Sequence, residues 1–175
     1  MNVLSAYSSK YGTVKECVRR LQDALRNLSP VAVDLDRETP DLAQYDVVLL
    51  GTSVYFGKAR PAFRAFVKAH EAELCQKSLG LFFCCGLAHE YDYYQEKIFS
   101  AKLRDAAFGL FYFGGVLKVE SPTLFDRWLL HSMRSSIMEN EIEDGEYTPS
   151  LPGILPETIE KLATYTKEEV IRKKA

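Results

Sequence analysis

A chain of 175 residues, 47% hydrophobic and 26% charged, is long enough to bury a substantial core and too apolar to be disordered throughout. Its formal net charge of −2 excludes the strongly basic character that draws proteins onto nucleic acid or anionic membranes. No run approaches the roughly 18 consecutive apolar residues of a membrane-spanning helix, so no transmembrane segment is expected.

Residues 2–7 form a short apolar run that ends at Ser8-Ser9-Lys10-Tyr11-Gly12-Thr13. Met1 enters this run without a basic leader or cleavage pattern, so a cytoplasmic chain is expected. Val14, Cys17, Val18, Leu21, Leu25 and Leu28 then recur at three- and four-residue steps, which predicts strand, turn and amphipathic helix. Pro30 closes the helix, and residues 31–35 alternate as a second strand. Residues 41–45 make a short turn of helix before residues 46–51, a run apolar on both faces, as in the interior of a parallel sheet covered by helices. Pro61 opens a helix whose inner stripe is Phe63, Phe66, Val67 and His70. A fourth strand is predicted over 79–86, a helix over 95–108, and a fifth strand over 110–117 broken by Gly114 and Gly115. Residues 124–138 read as an amphipathic helix carrying Phe125 and Trp128, residues 139–156 as a loop, and residues 158–173 as the closing helix.

Five strands interleaved with helices predict one α/β domain over residues 1–175, with a doubly wound open sheet. Ligands of such sheets bind beyond the C-terminal strand ends, which selects the loops beginning near Ser8, Gly51 and Cys85. In the first, Ser8 and Ser9 supply hydroxyls, Gly12 permits a tight path, and the next helix offers unpaired amides to an anion. The Gly-Lys-Ser/Thr ending of the ATPase loop and the three-glycine dinucleotide fingerprint are both absent, and a plain strand-to-helix turn accounts for the same residues. In the second, Tyr55 and Phe56 stand between Gly51 and Gly57, where they can stack on a planar ligand or cover the sheet edge. In the third, Tyr91, Tyr93 and Tyr94 accompany His89, Glu90 and Asp92 as a second wall of such a pocket or as surface cover.

Cys17, Cys75, Cys84 and Cys85 lack zinc or dithiol spacing and read as free thiols of a reducing compartment. His70, His89 and His131 are scattered, so no metal site is expected; His89 alone is a candidate for proton handling. No serine carries the signature of an activated nucleophile, and no catalytic residue is assigned.

The opening strand with Ser8-Ser9-Lys10-Tyr11-Gly12-Thr13, residues 45–57 with the Phe63-Phe66-Val67 helix, and later Phe113-Gly114-Gly115-Val116-Leu117 and Leu124-Phe125-Asp126-Arg127-Trp128 resemble the flavodoxin-like family. Within it the chain looks most like the menaquinone-dependent protoporphyrinogen dehydrogenase branch. The resemblance implies a five-stranded parallel sheet in the order 2-1-3-4-5, with an added helical segment before the final helix, and FMN as cofactor. It implies that Ser8, Ser9, Lys10, Tyr11, Gly12 and Thr13 surround the FMN phosphate. Thr52, Ser53, Val54, Tyr55, Phe56 and Gly57 would border the ribityl chain and flavin ring. Cys85, Gly86, Tyr91 and Tyr93 would approach the pyrimidine edge and the second ring face. Tyr11 and Val14 depart from the family's phosphate loop, where polar side chains are usual.

The function so implied is an FMN-dependent oxidoreductase that passes reducing equivalents from an organic donor, with protoporphyrinogen as the branch's donor, to a quinone or small aromatic substrate. The alternatives are a flavodoxin-type FMN electron carrier and a flavin-free binding module on the same scaffold. Phe125 and Trp128 are expected to pack in the core, cover the pocket, or contact a protein or the inner face of a membrane.

Overall fold

Strands that are apolar on both faces need helices on both, and the chain supplies them. The computed structural model describes residues 1–55, 57–86, 91–115 and 153–174. The elements run β1 (Val3–Ser8), α1 (Thr13–Ala24), β2 (Val31–Asp34), β3 (Val47–Tyr55), β4 (Lys58–Ala59), α2 (Pro61–Leu74), β5 (Ser78–Cys84), α3 (Tyr91–Ile98), α4 (Ala101–Ala106), β6 (Ala107–Tyr112), β7 (Gly114–Gly115), β8 (Gly153–Ile154) and α5 (Pro156–Lys174). The main sheet is ordered β2-β1-β3-β5-β6, and its neighbouring strands are parallel. Counting the parallel strands along the chain, this is the expected 2-1-3-4-5 flavodoxin-like order. The added segment expected before the final helix lies outside the described residues, as do Phe125 and Trp128.

Side-chain alternation divides the core in two. Leu4, Ala6, Val48, Leu50, Leu81 and Phe83 meet Phe63 and Phe66 of α2, Tyr94 and Ile98 of α3, and Leu103 of α4. Val3, Tyr7, Val47, Leu49, Phe82 and Cys84 meet Val14, Cys17, Val18 and Leu21 of α1 and Ile159, Leu162 and Ala163 of α5. A large aliphatic or aromatic side chain buried this fully contributes about 1.5–3 kcal/mol. Val14 is completely buried in the second cluster, so the packing of α1 on the sheet accounts for an apolar residue where the family's loop is usually polar.

Three local expectations are corrected. The helix expected over 95–108 is two short helices, because the Ser100 hydroxyl caps α4 by accepting from the Leu103 amide, and β6, the edge strand of the main sheet, begins at Ala107. Strand β3 continues to Tyr55 through polar Thr52 and Ser53, then folds back on β4 across Gly57, whose φ of 67° suits a tight reversal. Residues 153–154, expected in a loop, pair antiparallel with Gly114 and Gly115.

Candidate functional site

The C-terminal ends of β1, β3 and β5 border a small, partly open cavity of about 60 Å3, at the strand ends where open α/β sheets bind their ligands. One wall is Ser9, Lys10, Tyr11 and Thr13, between β1 and the first turn of α1. A second is Ser53, Val54 and Tyr55 at the end of β3, and a third is Cys84, Cys85 and Gly86 after β5, with Gly115 beside them. Gly12 holds the left-handed position that begins α1 (φ 84°), and no side chain caps that helix. Its first-turn amides therefore face the loop with their partial positive charge.

Alternation decides which hydroxyls reach the cavity. Ser8 pairs in register with Thr52, and both continue the parity of Ala6 and Leu50 toward the α2 side. Ser8 is fully buried and donates to Asp36 Oδ2 at 2.6 Å; Thr52 Oγ1 accepts from the Arg60 amide at 3.3 Å. Neither lines the cavity. Ser53 has the opposite parity, in register with Cys84, and Ser9 carries the parity of Val3 and Tyr7 one residue beyond β1. Ser9 and Ser53 both line the cavity; their Oγ atoms are buried and have no hydrogen-bond partner among the described residues.

Above these hydroxyls lies an aromatic and cationic group. Tyr11 and Tyr55 meet edge to face with centroids 5.8 Å apart, and their hydroxyls are 3.3 Å apart. The Lys10 ammonium sits 3.4 Å from the Tyr55 ring centroid and 4.7 Å from that of Tyr11, a cation–π arrangement.

The third wall is held from behind. The Cys85 amide donates to Gly114 O at 3.0 Å, and the Tyr112 hydroxyl donates to Cys85 O at 2.6 Å. A Cβ on Gly115 would lie 2.2 Å from Cys85 O, so only glycine fits there. Burial pushes the Tyr112 phenol well above its ordinary value, with the Cys85 and Cys84 thiols adding to the shift. Cys84 Sγ lies 3.7 Å from Cys17 Sγ; that contact, then burial, pushes the Cys84 thiol up, away from the thiolate a nucleophile needs.

The other nominated residues lie elsewhere. Tyr91 packs on Phe83 and Tyr112 on the α2 side, its hydroxyl 3.5 Å from Leu110 O. Tyr93 is exposed on α3 beside Lys97, and Gly57 faces Tyr94. Neither tyrosine lines the cavity. Phe56 and His89 lie outside the described residues. Sequence reasoning missed Asp36 and Arg60, which join 3.2 Å apart beneath the Ser8–Ser9 corner. It also missed the place of Gly115 in the wall. Among the described residues no cluster of metal-ligating side chains occurs, and no helix is long and apolar enough to cross a membrane.

Residues 4–142 match the Flavodoxin domain family. The chain belongs to the flavodoxin domain family. Flavodoxin structures share its fold. A Fusobacterium nucleatum flavodoxin bound to flavin mononucleotide is 14% identical with a TM-score of 0.57, over 97% of this chain and 99% of that one. Oxidised flavodoxin 1 from Bacillus cereus is 18% identical with a TM-score of 0.50, over 81% of this chain and all of that one. A short-chain flavodoxin associated with a non-canonical PDU bacterial microcompartment is 14% identical with a TM-score of 0.53, over 97% and 99% of the two chains. No curated protein matches the chain. Nothing in these matches singles out the protoporphyrinogen dehydrogenase branch of flavodoxin-like proteins.

Proposed function

We propose that the chain binds FMN in this cavity and serves as a flavodoxin-type electron carrier of the cytosol. The observation that carries this reading is that Ser9 and Ser53, on two walls of one cavity, both have buried hydroxyls without partners among the described residues. A buried polar group without a partner costs about 1–3 kcal/mol, so two converging on one space fit a polar ligand that satisfies them. The start of α1 supplies amides for an anionic group, and Tyr55, which also holds the Lys10 ammonium against its ring, supplies an aromatic side chain on the cavity wall.

Ser9, Thr13 and the amides after Gly12 would hold the phosphate. Backbone amides take the place of the hydroxyl that Val14 lacks. Ser53 and Val54 would border the ribityl chain, Tyr55 the ring, and the Cys85–Gly86 backbone the pyrimidine edge. Bound FMN supplies the electron-transfer chemistry. The protein binds and orients it, and its raised Cys84 thiol and Tyr112 phenol stay protonated beside the site at neutral pH.

An oxidoreductase passing equivalents from a porphyrinogen to a quinone needs a second substrate surface. The segment nominated for that role, around Phe125 and Trp128, lies outside the described residues. The carrier reading needs the cavity and a docking partner, and the kinship with the flavodoxin domain family favours it. The test is to reconstitute the protein with FMN, then measure electron exchange with a flavoprotein reductase and turnover with quinones and porphyrinogens. Rapid exchange without turnover supports the carrier; catalytic quinone reduction moves the assignment to the oxidoreductase. A protein that takes up no FMN overturns both.

A further inference from the structure

The turn after β2 places a carboxylate under the first residues of the loop between β1 and α1. The Asp36 amide donates to Asp34 Oδ1 at 3.1 Å, the Arg37 amide donates to Asp34 O at 2.9 Å, and the Leu35 amide ties the turn to Tyr7 O at 2.7 Å. From this fixed position Asp36 Oδ2 accepts two hydrogen bonds, from Ser8 Oγ at 2.6 Å and from the Ser9 amide at 3.2 Å. Its other oxygen, Oδ1, takes the Arg60 guanidinium at 3.2 Å. Arg60 is anchored in turn, its amide on Thr52 Oγ1 and its carbonyl on the Arg64 amide in the first turn of α2. One carboxylate thus joins the ends of β1, β2 and β3 to the start of α2.

The geometry points to Asp36 as a positioning residue for the anionic end of the ligand, an inference that rests on the FMN reading above. As an anion, Asp36 cannot itself hold a phosphate. It acts through Ser8 and Ser9: charge-assisted bonds to a buried hydroxyl and to the following amide fix the backbone at Ser9, a residue of the cavity wall. Arg60 balances the charge that would otherwise repel a phosphate, and both side chains are only about a quarter exposed, at 26% for Asp36 and 25% for Arg60. Preorganised donors bind more tightly because the ligand need not order them. The advantage belongs to the phosphate, since this carboxylate grips the Ser8–Ser9 corner and not the wall from β3.

The experiment compares wild type, Asp36→Ala and Asp36→Asn, each titrated with FMN and with riboflavin, which lacks the phosphate. Amide hydrogen exchange at Ser9 is measured in parallel in the cofactor-free proteins. Asp36→Ala is expected to weaken FMN about tenfold, or ~1.4 kcal/mol, to change riboflavin binding less than about threefold, and to speed exchange at Ser9. Asp36→Asn, whose carboxamide oxygen accepts both bonds, restores FMN binding to within about threefold of wild type. Equal losses for the two flavins, unchanged exchange in Asp36→Ala, or no rescue by Asp36→Asn overturns the inference. A wild type that binds neither flavin defeats the FMN reading by itself, and the positioning role for an FMN phosphate falls with it. Binding by wild type with equal losses in Asp36→Ala defeats only the role of Asp36.

Discussion

At the N-terminal ends of the strands, Asn2 donates its amide to Asp46 Oδ2 and its carboxamide to Gln44 O, and the Ser78 hydroxyl donates to Glu169. At the C-terminal ends, Ser9 and Ser53 keep buried hydroxyls without partners among the described residues, beside a helix that none of their side chains caps. Both ends are made of the same strands and both carry matched polar groups, Ser8, Asp36, Arg60 and Thr52 at the C-terminal end, but there two further hydroxyls on the cavity wall are left unmatched among the described residues. Matched groups stabilise the fold, whereas open ones cost stability and are explained by a ligand.

Substitutions at the two ends should therefore separate stability from binding. Leu4, fully buried near the start of β1, is expected on replacement by alanine to lose about 2–5 kcal/mol. The folded fraction of Leu4→Ala should bind FMN within about twofold of wild type, measured by denaturant melts and flavin titration; a large loss of affinity would erase the distinction between the ends.

Ser9→Ala and Ser53→Ala are expected to do the reverse. Each removes a hydroxyl that is buried and unsatisfied without ligand, so the cofactor-free protein should be unchanged or up to about 1 kcal/mol more stable. FMN affinity should fall roughly five- to tenfold, the worth of a hydrogen bond of about 1–1.4 kcal/mol. Destabilisation of the cofactor-free variants would show that these hydroxyls already have partners.

Tyr112→Phe examines the rigid wall behind Cys85. Loss of the bond to Cys85 O should cost about 1 kcal/mol at neutral pH. The phenol's raised pKa adds a pH dependence: its contribution is complete below the ordinary tyrosine value of 10 and declines as pH rises past 10 toward the higher folded value. Wild-type stability should accordingly fall more steeply than that of the variant in melts above pH 10.

Glu16 gives the smallest effect. Arg19 and Arg20 hold its carboxyl down at about 2, so its contribution is present above the ordinary value of 4.5 and is lost as pH falls toward 2. The pair is largely solvated, which keeps the gain below about 1 kcal/mol. Glu16→Gln should flatten the acid limb of the stability profile by that small amount without changing FMN affinity.

The covered parallel sheet was legible because runs such as residues 46–51 are apolar on both faces, a pattern that few other settings provide, whereas the strand order came from the resemblance to the flavodoxin-like family. The loops were legible as a location, since ligands gather at C-terminal strand ends. Individual roles were less so. Ser8 and Ser9 look alike in sequence, yet alternation sends one hydroxyl to Asp36 and puts the other residue on the cavity wall. Carrying the period of two past the strand end would have distinguished them. Asp36 and Arg60 gave no such signal, because charges 24 residues apart on two loops follow no local period and only the fold brings them together. Ser100 falls inside the single helix expected over 95–108, although as a side-chain cap it starts a new helix.

The central claim is that the unmatched hydroxyls at the C-terminal end await a flavin. Titration of the cofactor-free protein with FMN, followed by flavin fluorescence and repeated on a Ser9→Ala, Ser53→Ala double variant, tests it most directly. Saturable one-to-one binding by the wild type, with a clear loss in the folded double variant, is the expected result; no saturable uptake by the folded wild type, or equal affinity in the two proteins, would contradict it.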